Sequence, residues 1–256
     1  MSRLMTHLVA NYPNPSLFYD AFKAMLDGNV ECLEIQLPFT NPVADGQVIY
    51  EANQVAREYG QNLSEILAVC HRMKQSCPSN ETKLMLVAYA TTVLYQDLEE
   101  LTILLRDNSF SGLIIPDLPF SRSPEQAKLS KLCSQYDLQL IPVVARNTSH
   151  QRLNEIKEWL QHGQLIYAMA RTGQTGEVTD LSDLAMKNYL NGLNSTLGDY
   201  QPAIGFGIKD KLQVEELNSQ GFIAVIGTEV VRRIKAASMN QSSVYAAVHQ
   251  FLEELS

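Results

Sequence analysis

The sequence predicts one α/β domain, a (β/α)8 barrel spanning residues 1–256. Eight short apolar segments alternate along the whole chain with longer segments of helical periodicity. A length of 256 residues is close to the ~250 residues typical of this fold, and no Pro-, Ser- or Gly-rich linker divides the chain. A doubly wound open sheet is the alternative, but it usually has fewer strands at this length.

The eight predicted strands share a composition rich in Val, Ile, Leu and Tyr. Each is shorter than a typical helix, as expected for parallel strands that are buried on both faces. In order they are His7–Ala10, Cys32–Leu37, Lys83–Ala90, Gly112–Pro116, Leu138–Ala145, Leu165–Ala170, Pro202–Gly207 and Phe222–Gly227.

Helical patterns lie between these strands. Residues Pro15–Gly28 carry apolar side chains at helical spacing, with Gly28 as the expected C-cap. Ser123 followed by Pro124 is typical of a helix N-terminus, because proline fits the first helical position. Residues Leu153–Leu160 also form an apolar stripe on one helix face.

Composition excludes several classes of function. The formal net charge of −8 disfavours binding to nucleic acid or to an anionic membrane surface. The start of the chain has no signal-peptide pattern, and no apolar run approaches the ~18 residues of a membrane span. The 4 cysteines form no C-x-x-C pair, and the 5 histidines show no metal-ligand spacing. We therefore expect a cytoplasmic protein with reduced thiols and no catalytic metal.

Two carboxylates are the candidate catalytic residues. Glu34 lies inside the second predicted strand, and Asp45 lies in the loop that follows it. A salt-bridged core glutamate and a turn-forming aspartate would explain each residue separately. Together they can converge at the end of the barrel where active sites lie, as general acid–base chemistry requires.

The last three predicted strands indicate a phosphate site. The sixth is followed by a loop with two glycines, the second of them Gly176, and the seventh and eighth end at Gly207 and Gly227-Thr228. Barrels bind phosphate there through backbone N–H groups and a helix N-terminus. We expect no Arg or Lys in this cradle. The sequence has no Gly-x-Ser-x-Gly motif and no lysine in predicted strands five to eight, which disfavours a covalent mechanism. Metal-free acid–base chemistry on a small phosphorylated substrate remains.

These residues resemble one family. Residues Cys32–Gly46 read CLEIQLPFTNPVADG, similar to the block LELGIPFSDPxADG of the tryptophan synthase α subunit. Further similar blocks follow in the family's order, at PDLP (116–119), RTGQTG (171–176), GFGI (205–208) and IGT (226–228). The resemblance covers essentially the whole chain. Other phosphate-binding barrel families share the glycines of strands seven and eight but not the block at Cys32–Gly46.

The resemblance implies a TIM barrel and a lyase that cleaves indole-3-glycerol phosphate to indole and glyceraldehyde 3-phosphate in tryptophan biosynthesis. It implies that Glu34 is the acid–base residue and that Asp45 stabilises positive charge on the indole N–H. It also implies an α₂β₂ complex in which the β subunit carries pyridoxal phosphate, with no cofactor in this chain. The remaining matches are the orienting residues Tyr167 and Thr175 and the phosphate-binding residues Gly176, Gly207, Gly227 and Thr228.

Four positions depart from the family pattern, and the N-terminus is short. Gln36 replaces a glycine on the face of Glu34, where its amide would fill space meant for the indole ring or hydrogen-bond Glu34. Ile226 replaces a serine, and Asn41 and Thr91 change residues linked to signalling toward β. These departures leave an alternative open: a catalytically weakened subunit that mainly binds and regulates β. Another phosphate-binding barrel isomerase is a third possibility, disfavoured by the first block.

Overall fold

Nine parallel strand segments and the helices around them make up the part of the chain that the computed structural model describes, residues 2–60, 62–118, 124–158, 160, 163–169, 184–198, 200–205 and 207–256. The strands are β1 (Leu4–Val9), β2 (Cys32–Gln36), β3 (Lys83–Val87), β4 (Phe110–Ile114), β5 (Gln139–Ile141), β6 (Val143–Ala145), β7 (Leu165–Met169), β8 (Gln201–Gly205) and β9 (Ile223–Ile226).

The helices follow the strands around the outside of the sheet. They are α1 (Pro15–Asp27), α2 (Gln47–Ala56), α3 (Leu63–Gln75), α4 (Ala90–Leu94), α5 (Leu98–Asp107), α6 (Pro124–Gln135), α7 (His150–Lys157), α8 (Leu184–Leu197), α9 (Lys211–Ser219), α10 (Thr228–Met239) and α11 (Val244–Leu255). None of these described helices has both the length and the apolar character that a membrane crossing requires.

The strand order confirms the barrel and corrects the number of segments. The order is β5-β4-β3-β2-β1-β9-β8-β7-β6, so the two ends of the sheet are neighbours in sequence and the sheet nearly closes on itself. The fifth predicted strand is divided at Pro142, which has no N–H to donate to a ladder. Its first half pairs with β4 and its second half with β7. One of the eight strand positions of the barrel is therefore occupied by two short strands.

Alternate residues of each strand point into the barrel or out toward the helices. The buried inward set forms its own cluster, comprising Met5, Cys32, Met85, Val87, Ile114, Ile141, Leu165, Ala203, Ile223 and Val225. By the same period of two, the inward positions that follow Met5 and Cys32 are His7, Glu34 and Gln36. The interior is thus apolar at the start of these two strands and polar at their carboxyl ends.

Helix α1 shows how local sequence fixes an element against its neighbours. The Asn14 side chain accepts a hydrogen bond from the N–H of Leu17 at 3.0 Å, and Pro15 occupies the first helical position. Gly28 ends the helix as expected. A Cβ atom there would lie 2.5 Å from Leu252 Cδ1, so the glycine allows α11 to pack closely against this end.

Candidate active site

One cavity opens where the strands end and their loops begin, as the barrel fold predicts. Much of its wall is apolar and suits a flat hydrophobic group, with Ile49, Val87, Ile114, Pro116, Val143, Met169 and Val225 among the contributors. Its polar and charged residues come from β1, β2, β7 and the segments after β2, β8 and β9: His7, Glu34, Asp45, Tyr167, Lys209, Thr228, Glu229 and Arg232.

Glu34 is buried in this wall with its two oxygens in different environments. The parallel register of β1 and β2 places His7 directly beside Glu34, and His7 Nδ1 lies 2.8 Å from Glu34 Oε2. The other oxygen, Oε1, is buried and has no hydrogen-bond partner among the described residues. A buried carboxylate oxygen without a partner is costly, so this atom is suited to receive a proton or a hydroxyl from a ligand.

Gln36 connects His7 to Asp45. Its Oε1 lies 2.9 Å from His7 Nε2, and its Nε2 donates to Asp45 Oδ2 at 2.7 Å. The sequence correctly placed Gln36 on the same face as Glu34. The expected hydrogen bond to Glu34 was wrong, because the amide bonds His7 and Asp45 instead. The other expected consequence, that the amide fills space meant for the indole ring, stays a prediction. We call these four residues, Glu34, His7, Gln36 and Asp45, the carboxylate chain.

Tyr89 fixes the far end of the carboxylate chain. Its hydroxyl donates to Asp45 Oδ2 at 2.9 Å and accepts from the N–H of Ala44 at 3.1 Å. The ring of Phe39 stacks on that of Tyr89, with centroids 4.7 Å apart and planes 10° apart. The loop after β2 is therefore held in place by both a hydrogen bond and a stacked aromatic pair.

Burial and opposite charges act against each other in this cluster. Burial alone would lower the pKa of His7, but the hydrogen bond and charge of Glu34, with the charge of Asp45, raise it overall. Burial raises the pKa of Asp45, although His7, Gln36 and Tyr89 each lower it. Burial, then the charges of Glu34 and Asp45, raise the pKa of Tyr167 well above its usual value, so its phenol remains protonated.

Tyr167 lies inside the barrel across from a required glycine. It is an inward residue of β7, and a Cβ atom at Gly205 of β8 would lie only 2.4 Å from the Tyr167 hydroxyl oxygen. Any larger residue at position 205 would displace the tyrosine ring. Thr175, the second expected orienting residue, lies outside the described residues.

The strand ends of β8 and β9 bring three expected phosphate residues to the same cavity. Gly207 has a φ of +65°, in the left-handed region that favours glycine. Gly227 and Thr228 stand at the N-terminus of α10, where backbone N–H groups attract anions. We call these three residues the glycine cradle. Gly176, the fourth expected member, lies outside the described residues.

The cavity also contains two cationic residues, Lys209 and Arg232, beside the glycine cradle. The expectation that backbone N–H groups rather than Arg or Lys hold the phosphate therefore stays a prediction, with two cations lining the same cavity. Lys209 follows the cradle by two residues, and Arg232 lies one helical turn after Thr228, which returns it to the same side of α10. Arg232 Nη1 lies 3.5 Å from Glu229 Oε2, so the acidic residue in this first turn has a cationic partner.

Sequence reasoning missed His7, Tyr89, Lys209 and Arg232. A titratable residue inside an apolar strand was the available signal for His7, which was considered only as a metal ligand. In the described part of the chain, no three His, Cys, Asp or Glu side chains are placed to bind a metal ion.

The other three departures from the family pattern do not line the cavity. Ile226 ends β9 with its side chain 1% exposed in the outward core. Asn41 and Thr91 are both exposed, in the loop after β2 and in α4 respectively.

Comparisons with known proteins point to one family. A family model described as tryptophan synthase alpha chain matches residues 1–256. The tryptophan synthase alpha chain of Alkaliphilus metalliredigens is 31% identical over 254 residues, covering 98% of this chain and 90% of the relative. That of Syntrophotalea carbinolica is 30% identical over 231 residues, covering 90% and 87%.

Solved structures show the same fold. A tryptophan synthase subunit alpha from Legionella pneumophila has a TM-score of 0.84 and 19% identity, covering 99% of this chain and 91% of that one. A tryptophan synthase complex from Pyrococcus furiosus contains a chain with a TM-score of 0.80 and 19% identity, covering 99% and 97%.

Proposed function

The chain belongs to the tryptophan synthase alpha chain family, and from that premise we propose that it is a lyase that cleaves indole-3-glycerol phosphate. The products are indole and glyceraldehyde 3-phosphate. This retro-aldol reaction breaks one carbon–carbon bond, adds a proton to indole C3 and removes a proton from a glycerol hydroxyl. Groups that exchange protons with the substrate, together with groups that bind its two ends, are therefore sufficient for this reaction.

The orientation of Glu34 carries the proposal. His7 holds Oε2, and Oε1 remains for the substrate at the wall of the cavity. A single carboxylate can accept the hydroxyl proton and deliver it to C3, so it ends the reaction in the state in which it began. Positioned acid–base groups contribute ~10²–10⁴-fold to rates.

Asp45 supplies the second charge. Protonation of C3 makes the indole ring positive, and a carboxylate that accepts the ring N–H stabilises that charge. Gln36 and Tyr89 hold Asp45 Oδ2 in place, so the group needs no rearrangement during the reaction. Tyr167, which lines the same cavity, and Thr175 are the proposed orienting residues.

The other end of the cavity suits the substrate phosphate. The glycine cradle offers backbone N–H groups, and Lys209 and Arg232 add positive charge. We assign Gly207, Gly227 and Thr228 to the phosphate, together with Gly176. The apolar wall between the two ends suits the indole ring.

The weakened-subunit alternative depended on Gln36 and Ile226. Ile226 does not line the cavity, and the Gln36 amide joins Asp45 to His7, which bonds Glu34. We therefore favour a working lyase. As partner we propose a tryptophan synthase β subunit in an α₂β₂ complex, with pyridoxal phosphate bound by β and no cofactor in this chain.

Indole release from indole-3-glycerol phosphate tests the proposal, measured for the chain alone and with a tryptophan synthase β subunit. Glu34→Gln should lower kcat by ~10²–10⁴-fold while the fold is retained. The matched control is Glu81→Gln, an exposed glutamate before β3 at the opposite end of the barrel. A parent without indole release in both conditions, or a Glu34→Gln variant within a few-fold of the parent, would contradict it.

A further inference from the structure

We propose that His7 and Gln36 act together as positioning residues, with His7 held as an imidazolium between Glu34 and Asp45. This inference rests on the proposed function for its kinetic consequence but not for the charge on His7. It concerns two side chains that the family resemblance gives no role.

The hydrogen bonds fix which atoms carry protons. Gln36 faces the Asp45 carboxylate at 2.7 Å, and only its NH₂ group can donate there. Its oxygen must then face His7, and the ring nitrogen at 2.9 Å must carry a hydrogen. The ring therefore donates through Nε2, whichever protonation state Glu34 has.

One further proton lies between Glu34 Oε2 and His7 Nδ1, which are 2.8 Å apart. The proton belongs to His7, because a positive ring then lies between two carboxylates, Glu34 on one side and Asp45 beyond the amide. The same charges raise the pKa of His7 against the effect of burial. Buried ion pairs need further hydrogen bonds, and Gln36 satisfies the second nitrogen of the His7 ring.

Among the described residues, no other element brings a competing charge into contact with the ring. The neighbouring positions are Glu34 and Gln36 on β2, Asp45 in the loop after it, and Gly227, where a Cβ atom would lie 3.1 Å from His7 Cβ. Tyr167 is neutral and lines the same cavity. The remaining charged lining residues are Lys209, Glu229 and Arg232, of which the last two form an ion pair.

The arrangement has two consequences for the reaction. His7 leaves only Oε1 of Glu34 for the substrate, so the orientation of the acid–base group depends on this ring. The imidazolium also lowers the pKa of Asp45, which must be ionised to accept the indole N–H. Removing the positive charge would raise the pKa of Asp45, so Asp45 would become protonated at a higher pH.

Nitrogen NMR of the histidine rings in the free, full-length chain tests the charge without any substrate. Both nitrogens of His7 should remain protonated well above the ordinary histidine pKa of about 6.5. Gln36→Leu removes both hydrogen bonds of the amide and should lower that titration midpoint. His71→Gln is the control, since His71 bonds Ser109 elsewhere and the His7 signals should not move. A His7 ring that is neutral at pH 7 in the parent would overturn the inference without relying on any variant.

Kinetics then test the positioning role. His7→Gln should lower kcat by ~10–100-fold, as expected for a misplaced catalytic group, and Gln36→Leu should have a similar effect. The double variant should lose less than the product of the two, because the residues act as a unit. In His7→Gln the acidic limb of kcat/KM should move up by about one pH unit. Unchanged pH limbs with multiplicative losses would contradict the proposal.

The outcomes separate this inference from the lyase proposal. An imidazolium in a chain that releases no indole would support the charge arrangement and contradict the lyase. A neutral His7 in a chain that releases indole would contradict the charge arrangement and leave the lyase supported.

Discussion

The carboxylate chain and the glycine cradle lie in one cavity but are built in different ways. The carboxylate chain consists of four side chains from two neighbouring strands and a loop, joined by hydrogen bonds of 2.7–2.9 Å. The cradle consists of backbone at two strand ends, where Gly207 has a positive φ and Gly227 caps α10. The carboxylate chain should therefore control the rate of the chemical step, and the glycine cradle should control substrate binding. Substitutions in the two regions test that division.

Among the substitutions that compare these two regions, Asp45→Asn should have the largest effect. The change keeps the size of the side chain but removes the charge that stabilises the protonated indole ring. We expect kcat to fall by ~10²-fold, comparable with the loss of one preorganised electrostatic group. KM should change little, because the phosphate contacts remain. A large rise in KM with unchanged kcat would show that the carboxylate chain serves binding.

A smaller effect is expected from Gly205→Ala. Gly205 lies on β8, the strand that leads to Gly207 of the glycine cradle, and it packs against Tyr167. The new Cβ would lie 2.4 Å from the Tyr167 hydroxyl and force the ring away from the carboxylates. Overpacking of this kind costs ~1–3 kcal/mol in unfolding free energy. Loss of the ring position should also lower kcat.

Gly192→Ala is the control for this substitution, measured by denaturant unfolding and indole release. Gly192 lies in α8, and a Cβ there meets nothing within 4 Å. Alanine at that helical position should raise stability by ~0.5–1 kcal/mol and leave activity unchanged. Equal stability of the Gly205→Ala variant and the parent would contradict the close packing of Tyr167.

The smallest effect should follow loss of charge beside the cradle. Lys209→Met with Arg232→Met should raise KM by several-fold with little change in kcat, because exposed charges attract phosphate only weakly through solvent. The difference from the parent should shrink as salt is added. Lys235→Met is the control, since Lys235 lies on the same helix but pairs with Glu51 outside the cavity. A fall in kcat alone would break the proposed division.

The fold was largely predictable from the sequence. Eight apolar segments identified the eight strand positions of the barrel, because strands buried on both faces need continuous apolar runs. The division of one stave at Pro142 was not predicted, although a proline inside a strand weakens its ladder. Which half pairs with which neighbour depends on how the barrel closes, and no local pattern contains that information.

The candidate site was predictable where single residues carry the signal. Glu34 stood out as a carboxylate in an apolar run, and the glycines stood out at strand ends. The role of His7 depends on the register between β1 and β2, which places it beside Glu34. Arg232 reaches the cavity because of the direction of α10. Both relations are tertiary, so the sequence alone could not provide them.

We propose that one substrate extends from the carboxylate chain to the glycine cradle. A crystal structure of Glu34→Gln with indole-3-glycerol phosphate tests this directly, because the variant should bind the substrate and cleave it slowly. We expect the phosphate at Gly207, Gly227 and Thr228, the ring N–H at Asp45 and the glycerol hydroxyl at residue 34. A phosphate bound elsewhere, or a ring that does not reach Asp45, would contradict it.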